Sequence, residues 1–502
     1  MAERLPSFWI KAALAVGLVA VADRLLYDHE PGVNLAVFGL SCVAALAIAN
    51  PAVRTHGMAI AAVALAAAFA TLQLERPTLV GLAMFTAALA VAALAPRART
   101  GEDAWAWCLR LAVAGLKSLA GPYLDGRRIL TVRARRKRLV LTAVLAAAIL
   151  PVGGGLLFLW LFGLANPVIG DFFTALRLPE PDIGRIIFGG MVAGAAWAVL
   201  RPRGRRWRSP KCKARADWPS VTTASVAVSL VVFNLLFALQ NGLDIAFLWS
   251  GARLPDGMSF AEYAHRGAYP LIATALLAGL FVVVFLRPGT PTAESRPVRA
   301  LVIAWVAQNI FLVASTALRT IDYIDAYSLT RMRIAALLWM ALVALGLALI
   351  CWRLVRGRSA SWLINTNVAA AAVALTLCSV IDLGAVAAAW NIRHAREVGG
   401  RGAELDLCYL RDLDGAAVVS LAELERRPLT PELRDRVAFV RRTEVADMTR
   451  RQADGLGWRW RDARRLARVR ALTGEAPARP PSLGRECDGT LKPLTPTPQP
   501  RT

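Results

Sequence analysis

Long, almost unbroken apolar runs divide this chain, and their length predicts membrane-spanning helices rather than the amphipathic repeats of a soluble core. About eleven runs suit a bilayer crossing, over residues 7–26, 33–50, 57–74, 78–95, 139–164, 185–200, 221–249, 267–286, 299–319, 334–352 and 362–390. The first four are Ala-, Val- and Leu-rich with little polar interior, a composition that lets helix backbones pack closely. Between spans four and five, AWAWCLRLAVAGLKSLAGPYL (104–124) carries Trp105, Trp107, Arg110 and Lys117 and predicts an amphipathic helix at the interface. Span five contains Pro151 and Gly153–Gly155, a pattern that kinks a helix or, in a transporter, breaks it around a ligand.

The loops alternate in charge. Those with Asp28, His29 and Glu30, or with Asp171, Glu180 and Asp182, are acidic; RRILTVRARRKR (127–138) and RPRGRRWRSPKCKAR (201–215) are basic. The later loops with Arg287, Arg296 and Arg299, and with Arg353, Arg356 and Arg358, fall on the basic side. Excess Lys and Arg marks cytoplasmic loops, so the expected orientation has the N-terminus cytoplasmic and the C-terminus outside a bacterial inner membrane.

Composition agrees. Of 502 residues, 56% are hydrophobic and only 19% charged, too apolar for an ordinary soluble protein of this length. The net charge of +24 sits largely between apolar runs. There it orients helices and meets anionic lipid, so the expected partners are the bilayer and a small-molecule or lipid ligand, with no nucleic acid. The 7 cysteines include no CxxC pair, and no metal site or cofactor is expected. No ATP-binding loop, kinase signature or HExxH motif is present. The first run lacks a convincing cleavage site and reads as a retained helix.

Polar groups within hydrocarbon are costly and therefore point to function. The run SVAVSLVVFNLLFALQNGLDIAFLW holds Asn234, Gln240, Asn241 and Asp244, and Gln308 and Asn309 lie in span nine. Threading the topology brings Asp244, Glu262, His265, Arg266, Arg319, Asp322, Asp325, Arg331, Arg333 and Asp382 toward one non-cytoplasmic face. These are the candidate substrate-binding residues. In the structural reading, they pair across helix ends and fix packing. In the functional one, Asp244 and Asp382 line an outward-open cavity, Arg319, Arg331 and Arg333 hold an anionic group, and Glu262 or His265 moves a proton.

Two further signals are weaker. Asp412, Asp414 and Gly415 evoke a calcium loop, but aligning Gly415 with the motif's glycine puts Leu410 and Leu421 at ligand positions. GWRWRDARRLARVR (457–470) interleaves Trp and Arg and predicts an amphipathic helix suited to anionic lipid. With both outside, Cys408 and Cys487 are free to form a disulfide.

FNLLFALQNGLDIAFLW (233–249), LPDGMSFAEYAHRGAYPLIATALL (254–277), IDAYSLTRMRIAALLWM (324–340) and LDLCYLRDL (405–413) resemble a bacterial family of polytopic membrane proteins. It is the domain-of-unknown-function group numbered four-one-seven-three, with its relative four-one-five-three. The similarity covers roughly residues 138–415, and AEYAHRG is its most specific piece. The resemblance implies the architecture and carries no activity or site residues.

The expected fold is thus an all-α polytopic bundle. Residues 1–96 hold helices one to four, 97–138 form a basic cytoplasmic connection, and 139–392 carry spans five to eleven. Residues 393–474 form a small helical extramembrane region, and 475–502 a Pro-rich disordered tail. The leading functional expectation is transport or binding of an anionic small molecule or lipid at the outer face. The alternatives are an enzyme modifying a lipid-linked or envelope substrate, and a structural or signalling scaffold.

Overall fold

Inside a bilayer each backbone N–H and C=O must bond within its own segment, so apolar runs of this length become helices. The computed structural model describes residues 4–99, 101–119, 182–202, 222–246, 277, 295–474 and 484–492. The first group of helices is α1 (Arg4–Leu26), α2 (Val33–Ala49), α3 (Gly57–Glu75), α4 (Leu79–Leu94), α5 (Ala104–Leu119) and α6 (Ile183–Leu200). The second is α7 (Thr223–Asp244), α8 (Arg296–Tyr327), α9 (Arg331–Arg356), α10 (Ala360–Val380) and α11 (Leu383–His394). The tail adds α12 (Leu407–Arg411), α13 (Val418–Glu425), α14 (Pro431–Ala453) and α15 (Trp460–Thr473). Among the described residues seven helices, α3, α4 with its following turn, and α6–α10, are long and apolar enough to cross a membrane.

Nine of the eleven expected spans fall on described helices; 139–164, with Pro151 and its glycines, and all of 267–286 but residue 277 lie outside the described residues. So do most of the two basic loops at 127–138 and 201–215. The last span differs from its expectation. It stops at Val380, and Asp382 begins a new helix by accepting hydrogen bonds from Gly384 N (3.0 Å) and Ala385 N (3.2 Å). A side-chain oxygen at that position satisfies the otherwise unpaired first N–H groups of α11. Thr222, Thr330 and Ser359 cap α7, α9 and α10 in the same manner.

Two of the packing centres among the described residues show how the bundle is held. Ala59, Ala62, Ala66 and Ala70 of α3 meet Ala88 and Ala92 of α4, with Phe69 and Phe85 filling the spaces between them. Small side chains permit this close approach where lipid offers no hydrophobic drive. In the second group Val226 and Leu230 of α7 pack on Val302 and Trp305 of α8, Leu347 of α9 and Leu363 of α10.

The tail is a small helical domain with its own core of Leu407, Leu410, Leu413, Leu421, Leu424, Val437 and Val440. Cys408 and Cys487 are joined by a disulfide, with Cα atoms 5.1 Å apart. It fastens residues 484–492, which fold as a turn although the Pro-rich stretch was expected to be disordered. Arg436 bonds Asp488 at 2.6 Å on the same segment.

This domain seats on one end of the bundle. Val33 N–H donates to Trp458 O (2.8 Å), Asn34 N–H to Leu456 O (3.2 Å) and Arg459 Nε–H to Pro31 O (2.9 Å). The approach is backbone to backbone: a Cβ on Gly32 would lie 2.4 Å from the carbonyl carbon of Gly457. The tail end of the bundle thus holds the α1–α2 turn, the α3–α4 turn and the break after α10. The other end holds Asn50, Arg97, Pro202 and Arg353, tied by Asn50 Nδ2–H to Leu200 O (3.2 Å) and by Arg97 to Pro202 O.

Candidate functional site

Polar chemistry gathers at two depths. The shallower locus forms where α15 lies across the ends of α3 and α10. Its arginines 461, 464, 465 and 468 recur at helical spacing and so share one face. Arg461 Nε–H bonds Glu75 Oε1 at 3.1 Å and its Nη2–H donates to Val380 O at 2.9 Å. Arg464 also bonds Glu75. Asp382 receives Arg76 at 2.6 Å, Arg465, and Arg461 at 3.5 Å. Burial would raise the Asp382 carboxyl, but the charges of Arg465 and Arg76 outweigh it and hold the group well below the usual carboxylate range.

These groups line a recess of about 460 Å³, bounded by Glu75, Val380, Asp382 and Arg461, Arg464, Arg465 and Arg468 of α15. Five guanidinium groups, Arg76 included, face two carboxylates. Arg464 and Arg468 remain 61% exposed, with Glu423 3.9 Å from Arg468 at the rim. Five guanidinium groups against the three carboxylates Glu75, Asp382 and Glu423 leave the recess positively charged, which suits phosphate or carboxylate.

The deeper locus is a polar seam between α7 and α8, which run parallel. Asn234 accepts from Gln308 Nε2–H at 2.8 Å, and Asn241 Nδ2–H donates to Gln308 O at 3.2 Å. Asp244, fully buried, pairs with Arg319 and accepts from Gln240 at 3.1 Å. Arg319 lies about 12 Å along α8 from Tyr327, at 1.5 Å per residue.

The other expected residues divide. Arg331 stands over Asp382 near Gly384, but its guanidinium donates to Leu413 O at 2.6 Å and its N–H to the Tyr409 hydroxyl at 2.9 Å. Arg333 lies 4.3 Å from the Tyr323 ring centre and donates to Tyr327 O and Ser328 O. Both are thus committed to the protein's own backbone. Asp244 and Arg319 come together, as do Asp382 and Arg331, yet the two pairs belong to different loci. Asp322 is exposed on α8. Asp325 lines a second cavity of about 250 Å³ with Ser328, Trp390, Asn391, His394 and Arg401. There His394 stacks on Trp390 (3.9 Å between ring centres), and its Nδ1–H donates to Trp390 O at 2.9 Å, leaving Nε2 as the acceptor. Glu262, His265 and Arg266 lie outside the described residues.

Glu75, Arg76 and the α15 arginines are absent from the residues expected to bind. The Trp–Arg pattern at 457–470 was the signal for half of the recess. Nothing local in Glu75–Arg76 announces that a helix nearly 400 positions later will cover them.

A sequence profile described as a domain of unknown function, DUF4153, matches residues 57–424. The match starts well before residue 138 and so takes in α3 and α4 as well as the start of the tail domain. No curated protein and no solved structure matches the chain.

Proposed function

The chain belongs to the DUF4153 family of multi-pass helical membrane proteins, and from its site we propose that it binds, and in transport passes on, an anionic small molecule or lipid at the outer face of a bacterial inner membrane. The observation that carries this reading is the recess under α15. Arg464 and Arg468 offer guanidinium groups at the level where helix ends meet headgroups, while Glu75 and Asp382 hold the neighbouring arginines in place. A phosphate or carboxylate entering there completes the charge balance.

The orientation rests on two supports. Arg54, Arg97, Arg99, Arg201, Arg353, Arg356 and Arg358 lie at the end away from the tail, which the positive-inside rule assigns to the cytoplasm. The Cys408–Cys487 disulfide suits an oxidising compartment for the tail. Reporters fused after residues 210 and 480 test it; activity of a cytoplasm-only reporter at 480 overturns the assignment.

The binding test uses the purified full chain in detergent, titrated with fluorescent phosphatidylglycerol and phosphatidylcholine of equal chain length. The anionic lipid binds preferentially, and Arg464→Ala with Arg468→Ala removes the preference. Equal binding of both lipids, or an unchanged preference in the double variant, refutes the reading. A soluble dicarboxylate or inorganic phosphate as competitor separates small-molecule from lipid binding.

A second reading, an enzyme acting on a lipid-linked substrate, is favoured by the Asp325–His394–Arg401 cavity. There His394 has a fixed tautomer with its Nε2 acceptor available. Product formation by the purified chain that is lost in His394→Ala would decide for it.

A further inference from the structure

The cavity of about 250 Å³ at the tail end of the bundle is lined by one carboxylate and one guanidinium, Asp325 and Arg401, with Ser328, Trp390, Asn391 and His394 between them in the lining. Its walls come from three segments that bond to one another. Asn391 of α11 accepts from Leu329 N–H (2.7 Å) and donates to Leu329 O (2.9 Å), which fixes α11 against the end of α8. The turn at 395–403 then folds back on α11. Gly402 N–H donates to His394 O (2.8 Å), Gly400 N–H to Ala395 O (2.9 Å), and Arg396 Nε–H to Gly402 O (2.8 Å). A Cβ on Gly400 would lie 2.2 Å from His394 O, and one on Gly402 2.7 Å, so Arg401 is set between two positions too tight for a side chain.

Asp325 and Arg401 share this pre-formed space without pairing. Among the described residues neither side chain has an ion pair or a hydrogen bond. Arg333, at the same corner, is already spent on Tyr327 O and Ser328 O. Asp322, one turn earlier on α8, adds its charge beside Asp325. Opposite charges held apart repel a simple anion at one end and a simple cation at the other, whereas a ligand carrying both signs satisfies both. The acidic end has a second acceptor in His394 Nε2, which suits an ammonium with N–H donors; the guanidinium end suits phosphate. The volume is below the about 300–1,000 Å³ of pockets for drug-sized ligands, so it admits a headgroup and leaves acyl chains outside. Val386 and Trp390, four apart on α11, are 47% and 39% exposed and give such chains an apolar edge to follow. We infer that this cavity binds a phosphoethanolamine group, a primary ammonium and a phosphate a few bonds apart. Binding needs no turnover, so the inference is tested apart from the enzymatic reading of the same cavity.

The full chain, purified in detergent, is titrated with fluorescent phosphatidylethanolamine and phosphatidylcholine of equal chain length. Glycerophosphoethanolamine supplies the same group in soluble form. The ethanolamine group binds saturably, and its lipid binds more tightly than phosphatidylcholine, whose methylated ammonium has no N–H. Asp325→Asn and Arg401→Gln each weaken binding about tenfold or more. Neither side chain has a partner to lose among the described residues, so an unchanged melting midpoint accompanies the loss. Arg464→Ala with Arg468→Ala leaves the affinity as it is, even where it abolishes the preference for phosphatidylglycerol. Binding of the lipid, of the soluble ester or of both supports the site and names the source of the group; binding of neither overturns it. It is overturned equally by equal affinity for phosphatidylcholine, by displacement with glycine as readily as with the soluble ester, or by wild-type affinity in both the Asp325 and Arg401 variants. Loss of binding in the Arg464–Arg468 double variant would place the ligand in the arginine recess, and the inference would fall.

Discussion

Replacing Asp382 by Asn isolates the charge that seats the tail domain. Asp382 does two jobs: it caps α11, and it takes Arg76, Arg461 and Arg465. Asn caps about as well as Asp, so the substitution leaves the first job in place. The second is lost. Side chains of Asp382, Arg465 and Arg76 are only 8%, 9% and 16% exposed, and removing one partner of a buried pair costs about 3–5 kcal/mol. Partial exposure of Arg76 favours the lower end, about 3 kcal/mol, or roughly 100-fold in the opening equilibrium. Asp382→Ala also forfeits the cap, a further ~1 kcal/mol. Hydrogen exchange of α15 amides in the full chain, read by mass spectrometry in nanodiscs, reports that opening directly. The pH dependence has a definite sign. The folded carboxyl is held below its ordinary value, so its contribution is complete above about pH 4 and is lost as pH falls toward the folded value. The wild-type advantage over Asp382→Asn therefore persists at pH 7 and pH 5 and shrinks only in stronger acid. Exchange within threefold of wild type for both variants at pH 7 would refute the clamp.

Gly32→Ala drives a methyl group into the Gly457–Trp458 backbone and is expected to cost about 1–3 kcal/mol, seen as faster exchange at residues 456–460. Cys408→Ser opens a cross-link between positions 79 residues apart, for which the chain-entropy account gives about 4.5 kcal/mol; the tail becomes protease-sensitive while the bundle stays resistant. Burial pushes the Glu444 carboxyl up to about 7 against the opposing hydrogen bond from Gly415 N–H (2.9 Å). The folded state then holds a proton that the unfolded chain releases, so tail stability falls as pH rises from about 4.5 to 7, on the order of 3 kcal/mol in total. Glu444→Gln flattens that profile, and equal slopes for both proteins between pH 5 and 8 would count against it.

The bundle was legible because lipid removes choices. An apolar run of this length has one way to satisfy its backbone, and α3, α4, α6 and α9 lie within a few residues of their expected bounds. The break at Asp382 was harder. A carboxylate after an apolar run reads as a helix end snorkelling to the interface, and only the bonds to Gly384 and Ala385 reveal it as the start of another helix. The pairing of charges was not legible at all. Arg331 and Arg333 have the composition of an anion clamp, but Leu413 O, Tyr327 O and Ser328 O take their donors. Arg464 and Arg468 were visible as part of an amphipathic pattern, whereas their acidic neighbours Glu75 and Glu423 come from α3 and α13, and no spacing rule spans that separation. Asp244 stood out because an acid inside hydrocarbon demands a partner, though its choice of Arg319 required the parallel course of α7 and α8.

The seat of the tail on the α1–α2 turn joins Pro31 to Arg459, 428 positions apart. A ribosome adding about 5–20 residues per second needs roughly 20–90 s to make the second half of that contact after the first. Throughout that interval the α1–α2 hairpin waits with Gly32, Val33 and Asn34 uncovered. Closure therefore waits until the chain has been made as far as Arg459. A message truncated before codon 456 yields a chain whose α1–α2 turn stays bare, because the residues that cover it are never made.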